Sequence, residues 1–192
     1  VSRYRPASFE TEVLADGLDQ LYGVAVAKSG DVIAAELGTG RVLAVRPGKQ
    51  DVLASGLRDP VGVAIGPDGN VLVSESRGGR VVKVNGSKVD TLVDGLDNPQ
   101  GLLVRDGQLY IVDAGLKALI AFDLETKARR TIASELPVGA PRGVTPKPLK
   151  GMPPFSGPQG PFAGITASPD GTLYVSADGD GSLLAIHPPA RN

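Results

Sequence analysis

The chain has no cysteine and no tryptophan, a single histidine and a single methionine, and only 4% aromatic residues in 192. The missing cysteines exclude disulfides, thiolate metal sites and cysteine nucleophiles, but they do not assign a compartment. One histidine, His187, excludes a two-histidine metal site within one chain, and any Ser-His-Asp triad has to use it. No apolar run approaches the roughly 18 residues of a membrane-spanning helix. Charge of either sign is not in excess: the net charge is −1. That gives no electrostatic case for nucleic acid or an anionic membrane. The sequence opens at Val1 without a signal-peptide pattern and is compatible with a secreted or periplasmic protein after processing.

What the chain does have is valine, leucine, isoleucine and alanine, with 26 glycines and 16 prolines. Many of the glycines fall at fixed offsets. Gly23, Gly62, Gly101 and Gly164 each begin a short apolar run, at steps of 39, 39 and 63 residues. Each is followed six or seven residues later by Gly30, Gly69, Gly107 or Gly171. A second phrase keeps the same beat. Leu14-Ala15-Asp16-Gly17-Leu18 returns as Leu53-Ala54-Ser55-Gly56-Leu57, Leu92-Val93-Asp94-Gly95-Leu96 and Ile132-Ala133-Ser134-Glu135-Leu136. A period near 40 residues marks a repeat architecture in which each unit buries its apolar faces on its neighbours.

Between the markers, each repeat reads as four strands. In the second copy these are about 62–66, 70–75, 80–84 and 88–93, separated by Pro67-Asp68-Gly69, Arg77-Gly78-Gly79 and Asn85-Gly86-Ser87. Asn-Gly is a strong hairpin signal. In the third copy, Lys117 to Arg130 has helix-friendly composition, but the repeat register assigns strands to Ile120–Leu124 and Arg130–Ala133. Propensity is the weaker guide. The expected fold is therefore all-β: a propeller of four-stranded antiparallel blades at about 23–56, 62–95, 101–135 and 164–187. Four repeats are visible, which makes either a complete small ring or part of a six-bladed one. The fourth repeat has three strands, and residues 9–15 are expected to supply its missing strand and close the ring. A proline-rich insertion at 137–161, too rich in proline for central strands, is expected to be a long loop acting as a lid or binding loop.

Pro60-Val61-Gly62-Val63-Ala64, Gly69 to Glu75 and Arg80-Val81, with Gly107-Gln108-Leu109-Tyr110-Ile111-Val112-Asp113, resemble the NHL repeat. Its pattern is Pro-x-Gly-Val/Ile-Ala, Gly-x-Ile/Leu-Tyr-Val-x-Asp and Arg-Ile/Val. The chain also resembles gluconolactonase-like and strictosidine-synthase-like propellers. That resemblance implies channel-facing metal ligands and a hydrolase of lactones or esters, with Ca²⁺ or Zn²⁺ polarising the carbonyl. The opening Gly-Glu-x-Pro motif of the gluconolactonases has no counterpart here.

Four groups of residues are candidates for function. Glu36, Glu75 and Asp113 end the second strand of successive repeats, with Ala177 in the fourth. They either ring a ligand or hold their own blade's turn and pair with a base nearby, Arg41, Arg80 or Lys117. Gln20, Asp59 and Asn98, with Tyr22 and Gln100, precede or open the innermost strand, at the mouth of the channel. Their oxygens suit a hard cation, so Asp59 and Asn98 are candidate metal ligands. Tyr22, Asp59, Asn98 and Gln100 are candidate ligand contacts. Asp178-Gly179-Asp180-Gly181 is part of a calcium loop or a plain turn, and Lys147 and Lys150 are candidate contacts for an acidic partner. Two functions follow: recognition of a small molecule, glycan or peptide at the mouth, or metal-dependent hydrolysis.

Overall fold

In the computed structural model, which describes residues 1–141, 143–144, 160 and 162–187, all regular structure is β. Each repeat lays down an antiparallel sheet in strict up-and-down order. Blade 1 comprises β3 (Leu21–Val26), β4 (Val32–Glu36), β5 (Arg41–Arg46) and β6 (Lys49–Ala54). Blade 2 comprises β7 (Pro60–Ile65), β8 (Val71–Glu75), β9 (Arg80–Asn85) and β10 (Lys88–Val93). Blade 3 comprises β11 (Pro99–Arg105), β12 (Gln108–Asp113), β13 (Ala118–Asp123) and β14 (Arg129–Ala133). Blade 4 has three strands among the described residues, β15 (Ile165–Ala167), β16 (Leu173–Ala177) and β17 (Ser182–Ile186). This is a four-bladed β-propeller. The segment with helical composition forms β13 and β14, so the repeat register prevailed over propensity.

The second strands β4, β8 and β12 are buried almost throughout: blades 2 and 3 have a blade on each face, and blade 1 is partly covered on its free face by Leu14 and Ala15. Three apolar clusters fill the successive junctions. Ala35 and Val42 pack with Val63, Val73 and Val82 between blades 1 and 2. Leu72 and Val81 pack with Leu102, Leu109 and Ile111 between blades 2 and 3. Val112 and Leu119 pack with Leu173 and Val175 between blades 3 and 4. Fully burying a Val or Leu side chain contributes roughly 1.5–3 kcal/mol, so these junctions hold the blades in register.

The inner strands approach so closely that only glycine fits at their start. A Cβ on Gly23 would lie 2.4 Å from the Val61 carbonyl oxygen, and one on Gly62 would lie 2.0 Å from that of Gln100. On Gly101 it would lie 2.6 Å from that of Ala163. The most regular mark in the sequence is thus a packing requirement where strands converge.

One expectation is corrected. Residues 10–13 do not complete blade 4. They form β2 (Glu10–Val13), which pairs with β1 (Ser2–Arg5) in a separate hairpin. Leu14 and Ala15, at its end, pack on Leu43 and Val45 of blade 1. The reason is positional. A fourth strand must also cover the flank of the next blade, and β2 meets that second demand without joining β17. Most of the 137–161 insertion, including Lys147 and Lys150, lies outside the described residues, and with it the expected lid.

Candidate functional site

The acids at the end of the second strands are scaffold. Glu36 is 1% exposed, and Glu75 and Asp113 are 0% exposed. Each carboxylate reaches back about sixteen residues to the backbone that leads into its own blade. Asp19 N–H donates to Glu36 Oε1 at 2.8 Å and Arg58 N–H to Glu75 Oε1 at 2.6 Å. Asp113 accepts from the N–H groups of Asp97 and Asn98 at 2.9 and 3.0 Å. The second oxygen meets the base that follows: Arg41 Nε donates to Glu36 at 2.8 Å, and Arg80 pairs with Glu75. Burial pushes the Glu36 carboxyl up, but hydrogen bonds from Thr39, the Asp19 backbone and Arg41 outweigh it and hold the pKa below its ordinary value.

Blade 3 departs from this plan. The strand partner of Asp113 is Ala118, where blades 1 and 2 have Arg41 and Arg80. Lys117 instead sits in the turn, at the position of Gly40 and Gly79, with a φ of 56°. Asp113 takes the N–H groups of Gly115 and Leu116 at 3.1 and 3.0 Å. The Lys117 ammonium is thereby released, and it donates to the carbonyls of Val138 and Ala140. Blade 4 departs further: Ala177 occupies the acid position, and Asp178, one residue on, accepts from Gly139 N–H at 2.6 Å.

These two departures build a cleft. It is about 470 Å³ in volume and is lined by Asp97, Asn98, Gln100, Leu116, Lys117 and Gly139, among others. Asn98 and Gln100, both anticipated from the sequence, come together here. Asn98 Oδ1 accepts from Ser76 Oγ, and Gln100 Oε1 accepts from Ala163 N–H at 2.7 Å. Both amide oxygens are thus occupied, and no hydrogen bond from either amide N–H to a protein group is found among the described residues; Gln100 is 4% exposed. Leu116 adds an apolar wall and is 43% exposed. Sequence reasoning missed Leu116 and Gly139, and it paired Lys117 with Asp113, whereas the ammonium goes to the Val138 and Ala140 carbonyls. The missing arginine opposite Asp113 was the available signal.

The other two anticipated contacts lie elsewhere. Asp59 is on the blade 2 side with a φ of 52°, and its carboxylate faces Arg77 Nε at 3.9 Å. Tyr22 accepts from Gly160 N–H at 2.7 Å and stacks edge-on against Phe162, with ring centroids 5.8 Å apart. As a cation site, the expected pair does not fit. Asp59 is turned to a guanidinium and the Asn98 oxygen to a hydroxyl. Among the described residues no three His, Cys, Asp or Glu side chains gather. Asp180 caps its turn through Ser182 N–H at 2.9 Å, and His187 Nδ1 contacts Thr172 Oγ1 at 3.1 Å.

Residues 57–84 match the NHL repeat model. The chain is a β-propeller carrying an NHL repeat, of the blade style that its sequence resembled. No curated protein matches it in sequence. Among solved structures, it is similar to virginiamycin B lyase from Staphylococcus aureus, at 15% identity and a TM-score of 0.66, over 98% of this chain and 63% of that one. It is similar to a gluconolactonase from Xanthomonas campestris at 18% identity and a TM-score of 0.63, over 92% of this chain and 78% of that one. It is also similar to a chain of a nidogen/laminin complex at 15% identity and a TM-score of 0.65, over 92% and 68%. The chain spans less than two thirds of the lyases, 63% of the first and 59% of a streptogramin B lyase. At these identities the likeness is one of fold.

Proposed function

We propose that this propeller is a recognition module whose ligand, a glycan, peptide or small polar molecule, binds in the cleft between blade 3 and the segment that follows it at Gly139 to Pro141, Gly143 and Val144. The observation that carries this reading is the pair of amides, Asn98 and Gln100, whose oxygens are spent on the protein and whose N–H groups make no protein hydrogen bond among the described residues, beside the exposed Leu116. Such a surface suits a ligand rich in carbonyl or hydroxyl oxygens: two amide donors fix orientation and an apolar wall supplies area. The range of fold neighbours, from a lyase to a nidogen/laminin complex, supports a binding scaffold without choosing its ligand. Glycan and peptide arrays probed with the purified chain test the reading. The expected result is a hit whose affinity falls at least tenfold in both N98A and L116D. Hits that ignore both substitutions place recognition elsewhere.

A second reading, a metal-dependent lactone hydrolase, draws on the gluconolactonase neighbour. It requires Asp59 to leave Arg77 and further ligands to join it and Asn98. Lactone turnover that chelation abolishes and Ca²⁺ or Zn²⁺ restores would favour it over simple binding.

A further inference from the structure

Blade 3 has two ends. Pro99 pairs with Asp113 at the end that holds the cleft, and Arg105 pairs with Gln108 at the other. At that second end Arg105 departs from the repeat. It closes Gly101-Leu102-Leu103-Val104-Arg105, where the other copies close with Ala27, Gly66 and Ser168. Tyr110, opposite Leu103, fills a place held by Ile33 and Leu72 in the first two blades. Apolar bulk therefore suffices there, and packing does not require the tyrosine hydroxyl.

The Tyr110 ring packs with Val112, Leu173 and Val175 in the junction of blades 3 and 4, and the residue is 8% exposed. No hydrogen bond from its hydroxyl to a protein group is found among the described residues. The oxygen is not sealed in, because among the described residues no buried side-chain oxygen or nitrogen lacks a partner. It opens on a pocket of about 280 Å³ that Tyr110 lines with Arg105, Asp106, Asp170, Thr172 and His187. The walls of this pocket are held in place. Arg105 reaches across the junction to the carbonyls of Ser168 and, at 2.7 Å, Pro169, while its Nε donates to Asp106 at 3.1 Å. Asp170 Oδ1 accepts from Ser168 Oγ and, at 3.0 Å, from Thr172 N–H. The Ser168 hydroxyl above all holds the Asp170 carboxyl at about 2, so it is ionised at neutral pH. Thr172, 5% exposed, meets His187 Nδ1 at 3.1 Å, as Gln108 meets Asp123 in blade 3. Asp170 Oδ2, the Tyr110 hydroxyl and His187 Nε2 are left without a protein hydrogen bond among the described residues.

We propose that this pocket binds one neutral sugar unit, with hydroxyls donating to the Asp170 carboxylate and a further sugar oxygen meeting the Tyr110 hydroxyl. The carboxylate only accepts, whereas the tyrosine hydroxyl donates and accepts. Together they match adjacent sugar hydroxyls, each of which can do both. A buried tyrosine with its ring in the core and its polar tip at a surface is suited to such a contact. Charge sets the class. The Arg105 guanidinium is met by Asp106, which leaves the Asp170 carboxylate to repel a carboxylate or phosphate on the ligand. Size sets the limit. The pocket is smaller than the roughly 300–1,000 Å³ of sites that take drug-sized ligands, so it holds a single unit. It lies at the opposite end of blade 3 from Asn98 and is a site separate from the cleft.

Amide NMR spectra of the isotope-labelled chain, titrated with glucose, galactose and mannose, test this. At least one sugar is expected to shift the amides of Gly107, Gly171 and Thr172 and to leave those of Asn98 and Gly139 in place. The uronic acid of that sugar is expected to bind more weakly. Y110F is expected to weaken binding about fivefold and D170N roughly tenfold, as suits a neutral and a charge-assisted hydrogen bond. Phenylalanine keeps the ring in its cluster, and asparagine keeps an oxygen for Ser168 and Thr172. Without sugar, Y110F is expected to melt no lower than the parent chain, since its hydroxyl has no protein hydrogen bond to lose. A methyl glycoside that binds as tightly as the free sugar assigns the site to a glycan end, and one that does not assigns it to free sugar; both uphold the proposal. It is overturned if no sugar shifts these amides at about 10 mM, if the shifts fall at the cleft, or if neither variant weakens them. A Y110F chain that melts well below the parent also overturns it, by giving the hydroxyl a structural partner. Recognition at the cleft is read through N98A and L116D, so the two sites succeed or fail separately.

Discussion

Asp178 holds the backbone N–H of Gly139 at 2.6 Å across 39 residues of sequence. It does for blade 4 what Glu36, Glu75 and Asp113 do for the first three, one position late, and it fixes the segment that forms a wall of the cleft. Gly139 is buried, so removing the acceptor strands a buried donor at a cost of roughly 1–3 kcal/mol. D178A is expected to lower stability by about 1–2 kcal/mol in a urea titration. It is also expected to speed hydrogen exchange at Gly139 far more than in the blade cores. Unchanged exchange at Gly139 would show that the Lys117 contacts suffice to hold the segment.

The repeat made most of the fold legible before any coordinates. Strict spacing of Gly23, Gly62 and Gly101 reports a backbone approach that admits no Cβ, and sterics of that kind leave a mark on one residue type. The position of residues 10–13 was not legible. Leu14-Ala15-Asp16-Gly17-Leu18 has the same form whichever blade its strand belongs to, and pairing is decided by partners far away in sequence. Asn98 and Gln100 were legible as candidates because they differ between copies. Their cleft was not, because it depends on Lys117 releasing Asp113 and on Gly139 arriving from beyond blade 3.

The buried acids differ in what their loss exposes. E75A leaves the Arg58 N–H without its acceptor and Arg80 without its carboxylate. Breaking a buried ion pair costs roughly 3–5 kcal/mol; the Arg80 side chain is 36% exposed and recovers water, so about 2–3 kcal/mol is expected. R80A, which leaves the Glu75 carboxylate at 0% exposure, is expected to cost at least as much. Chemical denaturation of both variants checks the order. A near-neutral R80A would mean that the Arg58 N–H alone satisfies the acid.

Two glycines of blade 2 separate packing from backbone conformation. A Cβ at Gly62 meets the Gln100 carbonyl at 2.0 Å and Ser74 Oγ at 2.7 Å, whereas one at Gly69 meets nothing within 4 Å. Gly69 has a φ of 81°, so G69A is expected to cost about 1 kcal/mol from strain alone. G62A forces two blades apart and is expected to exceed about 3 kcal/mol, enough to abolish cooperative folding. Melting curves of the pair decide this, and equal losses would refute the close approach of the inner strands.

Acid titration should pick out Asp68. Its carboxyl accepts from Lys83 Nζ at 2.8 Å and is held at about 2, mainly by that hydrogen bond. The folded pKa lies below the ordinary value of 3.8, so the carboxylate's contribution to stability is complete above pH 3.8 and fades as pH falls through about 2. D68N removes the contribution at all pH. The variant is therefore expected to melt below the parent chain at pH 6, by a modest margin because the pair is partly exposed. The two melting temperatures should converge as pH falls from 4 towards 2. A gap that stays constant over this range would assign the effect of the substitution to the Pro67-Asp68-Gly69 turn, where Asp68 Oδ1 also accepts from Asn70 N–H at 3.2 Å, and not to the charge pair.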